Sequence, residues 1–187
     1  SDFLADKEKS IQIIENNIQY PLIAKPVDDG CSSAVKKIKN GSDLRAYLLA
    51  LFRENSMVDE ANRLQLGLQY KEEFPIKNAA LIEALIDKKD AVHFLEITGG
   101  LLTKYNSEGK IEYEIFEPSE ALSSGEVLSL EEKFLAGEGQ NITPARYTVA
   151  EIEADYTHIA QQVKASLKKA AKTLNVTGYA RIDAFVR

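Results

Sequence analysis

The side chains best placed to do chemistry are a lysine, a glutamate and an Arg-x-Asp pair. Lys25 ends the apolar run Leu22-Ile23-Ala24 and stands directly before Pro26 and a loop carrying Gly30, Cys31, Ser32 and Ser33. An ammonium in such a run is costly unless an anion or a carboxylate meets it; the alternative is a strand-end lysine whose head reaches water. The small residues that follow leave backbone N–H groups free, the composition of a phosphate-cradling nest. Asp28 and Asp29 in the same loop would repel a polyphosphate unless they point away. Arg181 and Asp183 lie two apart in Gly178-Tyr179-Ala180-Arg181-Ile182-Asp183. Residues two apart on a strand share a face, so they read either as an intrastrand ion pair or as a cation and a carboxylate offered to one ligand. Glu83, inside Leu81-Ile82-Glu83-Ala84-Leu85-Ile86, is either the solvent side of an alternating strand or a site carboxylate.

Other chemistries find less support. His93 and His158 sit near no HExxH pattern or cysteine cluster, which disfavours zinc and histidine-dependent triads and leaves both as structural residues. Cys31 has no histidine nearby in sequence to activate it as a nucleophile. No GxGxxG motif and no P-loop lysine motif occurs.

The elements that must position these groups follow from periodicity. Residues 6–16 carry apolar positions at helical spacing and end at Asn16-Asn17. Strands are expected over 22–25 and 34–38, a hairpin with a polar, glycine-bearing tip. Ser42 is the expected N-cap of a helix burying Leu44, Tyr47, Leu48, Leu51 and Phe52, and residues 55–62 read as loop or a short helix. From Ala79 the pattern switches to strands over 80–86, 92–98, 101–105 and 111–116, with Gly99-Gly100 as a two-residue hairpin turn and Asn106-Ser107-Glu108-Gly109 as a longer one. Residues 117–147 form a long loop of the kind usually functional or ordered by a ligand. Thr148 and Glu151 make a capping box for the longest helix, whose stripe is Ile152, Tyr156, Ile159, Val163, Leu167, Ala170 and Leu174, with Lys168, Lys169 and Lys172 suiting its C-terminal dipole. Residues 178–186 read as a buried strand. The order is α+β, more antiparallel than doubly wound.

Composition bounds the rest. At 187 residues the chain suits about one domain, in one or two lobes. A net charge of −6 without a long basic block argues against nucleic acid and anionic membranes, and no apolar run approaches the ~20 residues of a membrane span. A single cysteine excludes an internal disulfide framework, and the cytoplasm is the expected compartment. The absent initiator Met and a core-like strand ending at Arg187 read as a piece of a longer protein.

Taken together these segments resemble the ATP-grasp ligases, in particular the D-alanine:D-alanine ligases. The resemblance rests on Tyr20-Pro21-Leu22-Ile23-Ala24-Lys25-Pro26 with Gly30-Cys31-Ser32, on Leu81 to Ile86, on Glu132-Lys133-Phe134 leading to Ile142-Thr143-Pro144-Ala145, and on Gly178 to Asp183, in family order across nearly the whole chain. It implies an ATP-grasp-like fold truncated at both ends: a small lobe over 1–86, an incomplete large lobe over 87–187, mostly antiparallel sheets and a nucleotide cleft between the lobes. It further implies ATP and Mg²⁺ as cofactors, small-molecule substrates including D-alanine, a role in peptidoglycan precursor synthesis and a homodimeric parent.

Residue by residue, the resemblance has Lys25 bind the α and β phosphates while the Gly30-Cys31-Ser32 loop closes over them. Glu83 accepts from the adenine amino group, the backbone from Ala84 to Ile86 pairs with the ring edge, and Asp90 holds the ribose. Lys133 reaches the γ-phosphate, Arg181 stabilises the transferring phosphoryl group and the oxyanion, and Asp183 ligates Mg²⁺. Both chemical steps of such a ligase build negative charge on oxygen, which preorganised cations stabilise. Further metal ligands of the family would lie beyond Arg187, so the 187-residue piece is expected to fold without catalysing ligation. Phe134 and Cys31 replace hydroxyls that position the substrate amine in D-alanine-adding members. In the family a phenylalanine there accompanies acceptance of D-lactate, which opens an ester-forming alternative, beside that of another ATP-grasp carboxylate–amine ligase with a different acid and amine. Asp28-Asp29 replaces a more mixed pair, and a nucleotide-binding module without catalysis is a further alternative.

Overall fold

The computed structural model describes residues 2–30, 32–69, 72–91, 93–122, 141–147 and 153–187. The described chain is mixed α+β with antiparallel sheets, in two compact units that meet in sequence between Leu85 and Ile86.

In the first unit, helices α1 (Asp2–Ala5) and α2 (Lys7–Asn17) precede strand β1 (Leu22–Pro26), strand β2 (Lys36–Ile38), helices α3 (Gly41–Leu51) and α4 (Glu60–Gln65), and strand β3 (Ala80–Ala84). Each main helix starts on a side-chain oxygen: Asp6 Oδ1 accepts from the Lys9 amide at 3.0 Å and Asn40 Oδ1 from the Asp43 amide at 3.0 Å. The cap of α3 is therefore Asn40 and not Ser42. Asn40 has the extended backbone a cap requires, and Asp43 returns its carboxylate to the Lys39 amide at 2.9 Å, which draws the helix start two residues forward.

The sheet order is β2-β1-β3, with both pairings antiparallel. Alternation along β1 sends Leu22, Ala24 and Pro26 into the core. There Leu22 and Ile38 meet Leu44, Tyr47 and Leu51 of α3, all fully buried. Ile23 and Lys25 face the other way, registered against Glu83 and Leu81 of β3, so β3 is a half-exposed strand rather than an apolar interior one. The second hairpin strand is shorter than its pattern predicts, because Ser32 and Ala34 adopt left-handed backbone, φ 59° and 51°, and pairing begins only at Lys36.

In the second unit, β4 (Leu95–Tyr105) is followed by β5 (Ile111–Ile115), β6 (Ser119–Ala121), β7 (Asn141–Ile142), helix α5 (Glu153–Thr173) and β8 (Tyr179–Val186). β4 is the spine, pairing antiparallel with β5, β6 and β8. It runs straight through Gly99-Gly100, where sequence pattern predicts a hairpin turn, and it starts at Leu95, leaving His93 outside the strand. The glycines serve packing instead of chain reversal. A Cβ on Gly99 would stand 2.5 Å from Leu167 Cδ1 of α5, and one on Gly100 3.2 Å from Phe116. Missing side chains let the helix settle on one face of the strand and Phe116 on the other.

The turn after β4 is the expected one: Asn106 Oδ1 accepts from the Glu108 and Lys110 amides at 3.0 and 2.9 Å, and Gly109 takes φ 74°. The 117–147 segment is not wholly loop, since β6 and β7 pair within it. The Thr148–Glu151 capping box lies outside the described residues. On α5, Leu167 is buried as expected, whereas Leu174 is exposed and Ala171 takes the core position, because the helix ends at Thr173. β8 is buried on one side only: Ala180, Ile182, Ala184 and Val186 pack toward the core while Tyr179, Arg181, Asp183 and Phe185 alternate outward.

Candidate functional site

In the first unit, the face of the sheet away from α3 carries Ile23, Lys25, Leu81 and Glu83. Lys25 Nζ meets Glu83 Oε2 at 2.6 Å on the diagonal of the ladder. The ammonium is thus met by a carboxylate, each side chain being about two-fifths exposed. An exposed pair of this kind contributes little to stability. Its partners remain accessible to a ligand offering phosphate to one and an amino group to the other. Ala84, the last residue of β3, is registered against Leu22 and is exposed at the strand's end.

Beyond Pro26 the chain enters the loop that holds Gly30 and Ser32. Consecutive turns form there, the Ser33 amide donating to Gly30 O at 3.0 Å and the Val35 amide to Ser32 O at 3.1 Å. A side chain at Gly30 would meet nothing within 4 Å, so the backbone is open on that side. Asp28 and Asp29 are not free to face it: Lys77 Nζ stands 3.0 Å from Asp28 Oδ1 and 2.8 Å from Asp29 Oδ1.

In the second unit, the outward face of β8 places Arg181 beside Asp183, with Nε to Oδ1 at 3.0 Å and a terminal guanidinium nitrogen donating to Oδ2 at 3.2 Å. Asp183 lies opposite Thr98 of β4 and Arg181 opposite Gly100. The Thr98 hydroxyl is buried and has no hydrogen-bond partner among the described residues. Sequence reading missed Thr98 and its same-face neighbour Glu96, although the alternation Glu96-Ile97-Thr98 was visible; their placement beside Asp183 depends on cross-strand register. Ile86 and Asp90 fall in this unit, both exposed, Asp90 in a turn closed by the Ala91 amide on Lys88 O at 2.9 Å. Cys31, Lys133 and Phe134 lie outside the described residues.

No group of three His, Cys, Asp or Glu side chains able to hold a metal forms among the described residues. Mg²⁺ does not require one, since it takes one or two carboxylates and otherwise phosphate oxygens and water. Asp183, with the unpartnered Thr98 hydroxyl opposite it, fits that limited role.

A further ionic cluster in this unit was not foreseen. Glu120 of β6 is buried, and the Arg146 guanidinium grips it through two bonds of 2.8 Å while the Arg146 amide donates to Oε2 at 3.2 Å. These bonds hold the Glu120 carboxyl below its usual pKa range, against the burial that pushes it up. His93 Nε2 meets Arg146 O at 2.6 Å, and His158 meets Gln162 at 3.0 Å.

No helix among the described residues is long and apolar enough to cross a membrane. No family model matches the chain. It is similar to curated proteins named D-alanine--D-alanine ligase. The one from Caldicellulosiruptor bescii is 26% identical over 186 residues, which is 100% of this chain and 40% of that protein. The Leptospira interrogans protein is 25% identical over 164 residues, 88% of this chain and 36% of its own length. The Chlorobaculum tepidum protein is 26% identical over 184 residues, 98% and 39% respectively. The chain thus spans about two-fifths of the length of these relatives. At 25–26% identity the similarity supports a relationship to ligases and no finer assignment.

Proposed function

We propose that the chain is the nucleotide-handling part of an ATP-dependent carboxylate–amine ligase of the ATP-grasp type, acting on D-alanine. The observation that carries this reading is the pairing of Lys25 with Glu83 on an open sheet face, directly before a glycine-bearing loop. Similarity to D-alanine--D-alanine ligases across 88–100% of the chain supports it.

In the reaction proposed, a carboxylate oxygen of the first amino acid attacks the γ-phosphorus of ATP and ADP leaves. The amine of the second then attacks the acyl carbon, phosphate leaves, and the amine gives up a proton. Lys25 exchanges its Glu83 partner for phosphate oxygens, and Glu83 turns its freed oxygen to the adenine amino group. The loop amides near Gly30 and Ser32 supply donors to the phosphates, and Ala84 through Ile86 and Asp90 are assigned to adenine and ribose. Arg181 neutralises charge developing on oxygen in both steps. Asp183 is assigned to Mg²⁺, which would screen the phosphate charge when bound. Lys133 is proposed for the γ-phosphate on sequence alone, as are Cys31, Ser32 and Phe134 for the substrate amine. Peptidoglycan precursor synthesis, in the cytoplasm, is the process such a product would serve.

The test is to incubate the protein carrying this chain, at its relatives' length, with ATP, Mg²⁺ and D-alanine. Equal amounts of ADP, phosphate and dipeptide are expected. Absence of D-alanine-dependent ATP turnover contradicts the reading, and a product formed only when D-lactate is added would shift it to ester formation.

A further inference from the structure

The loop between β1 and β2 is gripped at both stems by one stretch of chain. At its exit from β1, Asp28 and Asp29 are held by Lys77 at 3.0 and 2.8 Å. At its entry to β2, Lys36 Nζ is held by Glu72 Oε1 at 2.8 Å. The stretch 72–77 is itself fastened to the C-terminal end of α3. The Lys77 amide donates to Leu51 O at 2.8 Å, and buried Phe74 packs edge-on against Tyr47 with ring centres 5.5 Å apart. Arg53 adds bonds to the carbonyls of Ala50 and Pro75, at 2.6 and 3.1 Å, and to those of Ser56 and Phe74, at 3.1 and 2.7 Å. Every one of these partners belongs to the first unit.

From this arrangement we infer that residues 72–77 form a brace, and that Lys77 is a positioning residue which draws the Asp28 and Asp29 carboxylates to the α3 side so that the following amides, not two negative charges, meet a polyphosphate. The inference deepens the proposed nucleotide site and rests on that reading for its ligand. The chemistry is specific. Two adjacent carboxylates beside a phosphate nest oppose binding, and one ammonium within 3.0 Å of both offsets one of the two negative charges and turns both away. Both contacts hold the carboxylates to an ammonium whose own backbone amide is fixed on Leu51 O, so charge and orientation are set together. Lys77 also accounts for the Asp28-Asp29 pair, which the loop's proposed role alone leaves unexplained.

The experiment compares wild type, Lys77→Met, Lys77→Arg, Asp28→Asn/Asp29→Asn and the combination of Lys77→Met with both asparagines. One readout is amide hydrogen exchange at Ser33 and Val35 without nucleotide; the other is affinity for the non-hydrolysable analogue AMP-PNP with Mg²⁺. In Lys77→Met, exchange at those amides should speed up about tenfold, a change of roughly 1.4 kcal/mol in local opening. Affinity should fall by about tenfold, and Lys77→Arg should restore both. In the asparagine background, Lys77→Met should change affinity less than about twofold, because no carboxylates remain to neutralise. Equal losses in both backgrounds, or unchanged exchange in a folded Lys77→Met chain, would overturn the brace. Should Lys77→Met fail to fold, Glu72→Gln releases the opposite stem and must speed exchange at Val35, with no change there overturning the brace. Faster exchange in Lys77→Met together with no nucleotide binding by the wild type overturns the proposed site and keeps the brace, so the two readings fail separately.

Discussion

Replacing Gly99 and Leu167 by alanine should cost less together than the sum of the single changes. Leu167 of α5 is 5% exposed and its Cδ1 occupies the place where a Gly99 Cβ would stand, 2.5 Å away. Carbon atoms in contact prefer about 3.5–4.0 Å, so Gly99→Ala must displace the leucine by roughly an ångström. Since the clashing atom is the free end of a side chain, about 1–2 kcal/mol is expected, at the lower part of the range for overpacking. Leu167→Ala leaves a cavity and should cost about 3 kcal/mol. With both changes the added methyl enters that cavity, and alanine recovers about 0.5 kcal/mol of the backbone entropy that a strand glycine loses. The double variant should therefore lie near 2 kcal/mol below wild type, a coupling of about 2 kcal/mol. Urea unfolding of the four chains, read at constant m-value, measures it. Additivity within about 0.5 kcal/mol would refute the reasoning, as it would be the outcome if Gly99-Gly100 made a surface turn with no helix above it.

Other expectations concern charge. Lys25→Met should change unfolding free energy by no more than about 1 kcal/mol, because its ion pair is exposed; a larger loss would make the pair a structural element rather than a ligand-facing one. Glu120 should confer pH-dependent stability. Its pKa is depressed in the folded chain, so its contribution is present above the unfolded value of about 4.3 and is lost as pH falls through the lower folded value. The stability gap between wild type and Glu120→Gln should accordingly narrow below about pH 4.3 in thermal melts, and a gap constant from pH 7 to 3 would remove Arg146 from the account. Arg53→Met should cost about 1–3 kcal/mol by stranding the carbonyls of Ala50, Phe74 and Pro75, with Lys recovering part; a neutral result in chemical denaturation would show that water replaces the guanidinium there.

Local pattern reached the fold wherever one face of an element was buried. The α3 stripe of Leu44, Tyr47, Leu48 and Leu51 and the alternation of β1 were legible because both lean on one core. Gly99-Gly100 misled for a physical reason. The same dipeptide that permits a tight turn also permits close packing, and only the position of Leu167 decides between them. The cap moved from Ser42 to Asn40 because Asp43 supplies a return bond that composition alone does not order. Among the candidate residues, Arg181 with Asp183 followed from the two-residue period of a strand. Lys25 with Glu83 needed the register between strands far apart in sequence, and Lys77 with Asp28 and Asp29 needed the path of 72–77 across α3. No periodicity carries such contacts, since they arise from long-range packing.

The most direct test of the account is calorimetric titration of Mg²⁺ and AMP-PNP into this chain, repeated with Lys25→Met and Glu83→Gln. Saturable binding at one site is expected, weakened at least about tenfold in each variant while the melting temperature without nucleotide stays close to that of wild type. No binding at millimolar nucleotide, or equal affinity in all three chains, would contradict it.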